Sequence, residues 1–257
     1  EIAGFPGLRA VGEGSSRSAP IVILHSAFAD HRPYENHLRH FSAAGFDCYA
    51  ISRRGRAGRP STELENIRIS DYCEDAEAVL AEIGGEPIVL GHSLGGVIAM
   101  KLAEEGRIRA LVLVAAAAPW ALPPGLHSTI ALGPNMPAIM LGRPFMVSEA
   151  GAARLLLNGL PEPMRSEAYS RFPRESGAVF RQLLSGTAPV DDSKVRCPVL
   201  YLRGGDDRVV SGRVGRKVAQ TFHGEYKEYP GFGHWFVEEP GWERPADDIV
   251  GWIDAKI

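Results

Sequence analysis

A chain of 257 residues, 45% hydrophobic and 23% charged, can bury one sizeable core and is ordinary in composition for a globular protein. A net charge of −3 gives no electrostatic case for nucleic acid or an acidic membrane surface, and no apolar run reaches the ~18 residues of a membrane span. Three widely spaced cysteines, Cys48, Cys73 and Cys197, form neither a disulfide framework nor a metal-ligand pattern, which points to free thiols and a cytoplasmic protein. The chain opens on Glu1 rather than methionine, which leaves room for a trimmed leader.

Short β-branched runs alternate with amphipathic stretches along the chain. This is the pattern of an α/β fold, a mostly parallel β-sheet flanked by helices. In chain order, a hairpin turn is predicted over 14–18, a strand over 21–24, a helix over 33–44 and a strand over 46–51. A helix over 69–83 and a strand over 87–90 follow, then a helix over 94–105 and a strand over 110–114. Beyond residue 193 the spacing predicts strands at 199–203 and 225–229 and helices at 212–222 and 242–255.

Between 119 and 193 the strand alternation disappears, and ten of the nineteen prolines and four of the five methionines collect there. Methionine is an adaptable filler on surfaces that meet varied apolar partners. Residues 119–193 therefore read as a helical cap inserted into a core made of 1–118 and 194–257. The plainer alternative is a helical elaboration that touches no ligand. Open α/β sheets bind ligands at their carboxyl edge, which favours the cap. Trp120, Met136, Met140, Phe145 and Met146, with Phe28 from the core, are the expected lining of an apolar pocket.

The chemistry centres on Gly91-His92-Ser93-Leu94-Gly95-Gly96, which joins a predicted strand to a predicted helix. A G-x-S-x-G in that setting puts a serine on a tight turn with its hydroxyl exposed. A serine hydroxyl needs a base, and His234 in Gly231-Phe232-Gly233-His234 sits on a loop able to reach back over Ser93. The base in turn needs a carboxylate, offered by Asp206 or Asp207 after the strand at 199–203. An oxyanion hole calls for backbone amides; Leu94 supplies one, and Ala27, in His25-Ser26-Ala27-Phe28, is expected to supply the other. His25 and His92 read as structural, each hydrogen-bonding nearby backbone. His31, His37 and His40 match no ligand spacing, and this chemistry needs no metal and no cofactor.

These four segments, in this order, resemble the α/β-hydrolase superfamily, in particular its small capped esterase and lipase-like members. The resemblance spans nearly the whole chain and favours Asp207 over Asp206, because the family's acid usually precedes a run such as Arg208-Val209-Val210. It implies an ester hydrolase working through an acyl-enzyme, with Ser93, Asp207 and His234 as its triad. The expected substrate is a small to medium, largely apolar carboxylic ester. The same triad also serves thioesters, lactones, carbon–carbon bonds, perhydrolases and lyases, and a weakly active ligand receptor is a further alternative. Two departures stand out. Ser26 occupies a position where the family usually has glycine, so its hydroxyl either donates to a substrate or crowds the loop. Ser52-Arg53-Arg54-Gly55-Arg56-Ala57-Gly58-Arg59 stands where the family loop usually begins with an acid. Its arginines either draw an anionic substrate or, as most surface charges do, lie solvated or paired. The partner is expected to be a small ester-like molecule, with oligomeric state left open.

Overall fold

The computed structural model describes residues 1–14, 17–121 and 125–257. The strands are β1 (Gly7–Ala10), β2 (Ile21–Leu24), β3 (Cys48–Ile51), β4 (Ile88–His92), β5 (Ala110–Val114), β6 (Val199–Gly204) and β7 (Glu225–Tyr229); β2 to β6 are apolar runs, while the edge strands β1 and β7 are more polar and more exposed. They form one sheet in the order β1-β3-β2-β4-β5-β6-β7. All neighbours are parallel except β1, which runs antiparallel to β3 along the edge. β2, β4 and β5 are buried at every position, as expected of parallel strands covered on both faces.

β1 went unpredicted because Gly-Leu-Arg-Ala is short, half-exposed and carries no run of β-branched residues. Its partner is β3, so the stretch that leads from β1 to β2 connects strands that are not neighbours, which corrects the hairpin expected at 14–18. Positions 15 and 16 of that turn lie outside the described residues.

The helices follow in register with the sheet: α1 (Glu35–Ala43), α2 (Ile69–Ile83) and α3 (Leu94–Glu104) precede β5. Pro33 opens the first of these within a 3-10 turn over Arg32–Tyr34, where its missing N–H leaves nothing unpaired. Between β5 and β6 come α4 (Leu126–Leu132), α5 (Met136–Met140), α6 (Glu149–Leu155), α7 (Met164–Ser170) and α8 (Gly177–Ser185), with no named strand among the described residues. α9 (Gly212–Thr221) and α10 (Glu243–Lys256) complete the core. Among the described residues no helix is long and apolar enough to cross a membrane.

Topology places the chemistry. β4 continues two residues past its predicted end to His92, and β6 one residue further to Gly204. The loops at 25–28, 93, 205–211 and 230–234 all leave the carboxyl ends of neighbouring parallel strands, and the inserted helices leave the same edge from β5.

Candidate active site

At the end of β4 the backbone of Ser93 turns through φ +53° and ψ −112°, a conformation that costs a non-glycine residue about 1–3 kcal/mol. Hydrogen bonds hold it there: Ser93 N–H donates to the Val114 carbonyl (2.9 Å), and the Ser93 carbonyl accepts from Gly96 (3.0 Å) and Ala117 (3.1 Å). The flanking glycines are required by space. A Cβ on Gly91 would lie 2.6 Å from the Gly95 carbonyl oxygen, and one on Gly95 would lie 2.1 Å from that of Leu24. Ser93 Oγ makes no cap bond to α3 and lies instead 3.0 Å from His234 Nε2.

His234 Nδ1 is 3.0 Å from Asp207 Oδ2, and the other carboxylate oxygen accepts from the amides of Val209 (2.7 Å) and Val210 (3.0 Å). Asp207 is therefore fixed by its own turn before it meets the imidazole. Asp206 is exposed and engaged through its backbone: its N–H donates to the Phe232 carbonyl (2.8 Å) and its carbonyl accepts from Asn158 Nδ2 (3.0 Å). Of the two candidate acids, the structure brings Asp207 to the histidine.

A second chain of hydrogen bonds joins the loop at 25–28 to the histidine loop. The Ser26 N–H donates to the Tyr34 hydroxyl (3.1 Å), which lies 2.8 Å from His92 Nδ1, and His92 Nε2 lies 3.0 Å from the His234 carbonyl. Since the tyrosine oxygen already accepts from Ser26, its proton goes to His92 Nδ1, and Nε2–H donates to the carbonyl. Burial lowers the His92 pKa to about 3, which keeps the ring neutral. Sequence analysis identified His92 as structural but passed over Tyr34, which only the fold brings to it.

The loop at 25–28 is braced from behind. Ser26 Oγ donates to the Ala27 carbonyl (3.0 Å), so its proton is used within the loop rather than on a substrate. His25 Nδ1 lies 2.8 Å from the Ser26 carbonyl, and Arg53 donates to the carbonyls of His25 (2.7 Å) and Ser26 (3.2 Å). Among the described residues, neither the Ala27 nor the Leu94 N–H has an intramolecular acceptor. Leu94 opens α3, where the helix dipole adds positive potential.

The arginines of the loop at 52–59 are paired with carboxylates or buried. Arg54 pairs with Asp75 and Arg59 with Glu63, while Arg53 and Arg56 are buried against the Tyr72 ring, with guanidinium carbons 4.8 and 5.3 Å from its centroid. Arg56 forms a fully buried ion pair with Glu175 from the inserted segment. Glu175 also accepts from Tyr72 Oη (2.7 Å) and the Ser176 amide (2.8 Å). Burial alone would raise the Glu175 carboxyl, but the guanidiniums of Arg56 and Arg53 hold it below its usual value.

The expected pocket residues divide. Phe28, itself at φ +55°, meets Phe145 edge-on at 5.3 Å and packs with Phe180 (5.5 Å) and Phe172 (6.1 Å); Phe172 in turn lies 5.0 Å from Trp235, the neighbour of His234. Met136 and Met146 are half-buried against the core. Met140 does not join them: it ends α5 with 57% of its surface exposed. Trp120 lies with its ring 4.9 Å from the Lys217 ammonium of α9. Sequence analysis missed Phe172, Phe180 and Trp235 because no local pattern marks an aromatic that meets its partners only in the fold. A cleft of about 400 Å³ lies beside this cluster, lined by Phe172 together with His31, Arg32, Gly58 and Arg171 among others.

Behind the histidine loop, buried Glu239 accepts from the Gly233 amide at 2.7 Å. Its Oε1 and Asn158 Oδ1 have no partner, and they crowd Gly233 at 2.9 and 3.0 Å from where a Cβ would stand. Burial pushes the Glu239 carboxyl from 4.5 up to about 7.

The model of the alpha/beta hydrolase family matches residues 21–251. The chain belongs to that family. Among curated relatives, it is 27% identical to a monoacylglycerol lipase of Mycolicibacterium smegmatis, over 92% of this chain and 89% of that one. It is 25% identical to a pyrethroid hydrolase of Sphingobium wenxiniae, over 91% of this chain and 88% of that one. Among solved structures, the monoacylglycerol lipase of Paleococcus ferrophilus superposes with a TM-score of 0.73 at 20% identity, covering 98% of this chain and 99% of that one. As in other alpha/beta hydrolases, function has to be argued from the site rather than from the fold.

Proposed function

We propose that this alpha/beta hydrolase is a serine esterase that cleaves a small to medium, largely apolar carboxylic ester through an acyl-enzyme. The observation that carries the reading is the continuous alignment Ser93 Oγ, His234 Nε2, His234 Nδ1, Asp207 Oδ2, with 3.0 Å at both contacts. In this scheme Ser93 Oγ attacks the ester carbonyl while His234 Nε2 takes its proton, and Asp207 stabilises the imidazolium. The free amides of Ala27 and Leu94 receive the oxyanion. Collapse breaks the ester bond, and His234 returns the proton to the leaving alcohol. A water then repeats the sequence on the acyl-enzyme and releases the acid.

Residues 119–193 act as the cap, and the aromatic group of Phe28, Phe145 and Phe172 forms the apolar wall that the acyl or alcohol portion meets. Support for an apolar ester comes from this wall and from relatives named for monoacylglycerols and pyrethroids.

The test is a panel of p-nitrophenyl esters of rising chain length, with monoacylglycerols, pyrethroids, thioesters and lactones beside them. Hydrolysis is expected to be best on esters, and Ser93→Ala should reduce it by at least about 10³-fold with the melting temperature kept. Asp207→Asn should cost about 10³–10⁴-fold and Asp206→Asn less than threefold. Half the wild-type rate in Ser93→Ala would remove this serine from the mechanism.

A further inference from the structure

We propose that Arg53 is a positioning residue of the oxyanion hole, orienting and polarising the Ser26–Ala27 peptide unit whose N–H faces the reacting carbonyl. The inference rests on the esterase reading above, which uses that N–H as a donor. The two ends of a peptide unit are rigidly coupled, because the C–N bond is planar and trans. Whatever fixes the Ser26 carbonyl therefore fixes the direction of the Ala27 N–H.

Two donors fix it. His25 Nδ1 lies 2.8 Å from the carbonyl oxygen and Arg53 Nη2 lies 3.2 Å from it, while Arg53 Nη1 holds the preceding carbonyl of His25 at 2.7 Å. The His25 ring is oriented in turn by the Arg53 backbone, whose N–H meets His25 Nε2 at 3.3 Å. A charged donor on the carbonyl withdraws electron density through the amide, and hydrogen bonds in series strengthen one another. The Ala27 N–H thus gains both aim and donor strength.

The surroundings support a role beyond packing. Arg53 is buried, its Nε has no partner among the described residues, and Glu175, the carboxylate whose charge it feels, is already paired with Arg56. Two guanidiniums therefore share one carboxylate, and a net positive charge lies behind the donor of a developing anion. Burial and the neighbouring Arg56 lower the Arg53 pKa to about 10, which still leaves it charged at neutral pH.

The experiment compares wild type, Arg53→Met and Arg53→Lys on a p-nitrophenyl ester and on the thionoester of the same acid, with melting temperatures measured alongside. Arg53→Met removes the surplus buried charge and leaves the Arg56–Glu175 pair intact, so the fold is expected to persist. Expected is a kcat about ten- to hundredfold lower with KM within threefold, and partial recovery in Arg53→Lys. The oxygen-to-sulfur rate ratio should fall in the same order, since a thioanion draws little from an amide donor. That ratio distinguishes the role from simple loosening, which would slow both substrates alike. If Arg53→Met fails to fold, the ratio in Arg53→Lys decides. An unchanged kcat, or an unchanged ratio, in a folded variant overturns the inference. Absence of Ser93-dependent hydrolysis in the wild type would instead overturn the esterase reading.

Discussion

Two carboxylates lie buried where the inserted helices meet the core, and they end in opposite states. Glu175 faces Arg56, Arg53, Tyr72 and the Ser176 amide, and is held ionised. Glu239 has the Gly233 amide alone, lies near Asp206 and Asp207, and is pushed to about 7. Burial is nearly the same in both places; the partners differ. The first contact fastens the inserted helices to the loop at 52–59 through charge, and the second braces the histidine loop from within the core through a carboxyl pushed up to about 7.

The sharpest way to break that contrast is Glu175→Gln. It leaves Arg56 and Arg53 buried with no counter-ion, and removing one partner of a buried pair typically costs about 3–5 kcal/mol. Thermal denaturation should show a drop of roughly 10 °C, reasoning from about 2–4 °C per kcal/mol for a chain of this size. A drop under 2 °C would mean that the pair does not hold the insertion down. Glu239→Gln should do the reverse. Below pH 4.5 the carboxyl is protonated in both folded and unfolded chains. As pH rises from there through about 7, the unfolded chain releases a proton that the folded one retains, so stability declines and then levels off. The glutamine variant escapes this penalty: denaturant melts should find it more stable than wild type by about 2–3 kcal/mol at pH 8 and little changed at pH 5. A parallel pH dependence in the two proteins would assign Glu239 an ordinary carboxyl. The smallest effect belongs to Arg59→Ala, which breaks the partly exposed pair with Glu63. Its cost should stay below about 1 kcal/mol by the same melts, which sets the scale for a pair that water can reach.

What could be read without the structure follows the same division. Six of the seven strands were legible, β2 to β6 because each is a short apolar run with its own boundaries; β7, Glu-Tyr-Lys-Glu-Tyr, is a polar edge strand. Ser93 and His234 were legible because glycines mark the turns that carry them. Asp207 was separable from Asp206 only by resemblance, since both occupy one turn and the difference lies in which side chain faces inward. Arg56 and Glu175 stand 119 positions apart, and nothing near either residue indicates the other. Arg53 read as one more surface arginine for the same reason: its function is set by carbonyls of another loop. Met140 shows the opposite limit, where an apolar residue in the right segment lies on the outward side of a short helix.

The path from Ser26 through Tyr34 and His92 to the His234 carbonyl joins the two loops through side chains at the end of β4. Each bond in it can be made in only one direction, because a backbone amide starts it and a backbone carbonyl ends it. The loop at 25–28 and the histidine loop therefore share a spacer of fixed length. A shift of either loop is felt by the other without any movement of the strands, so the two loops behave as a single mechanical unit.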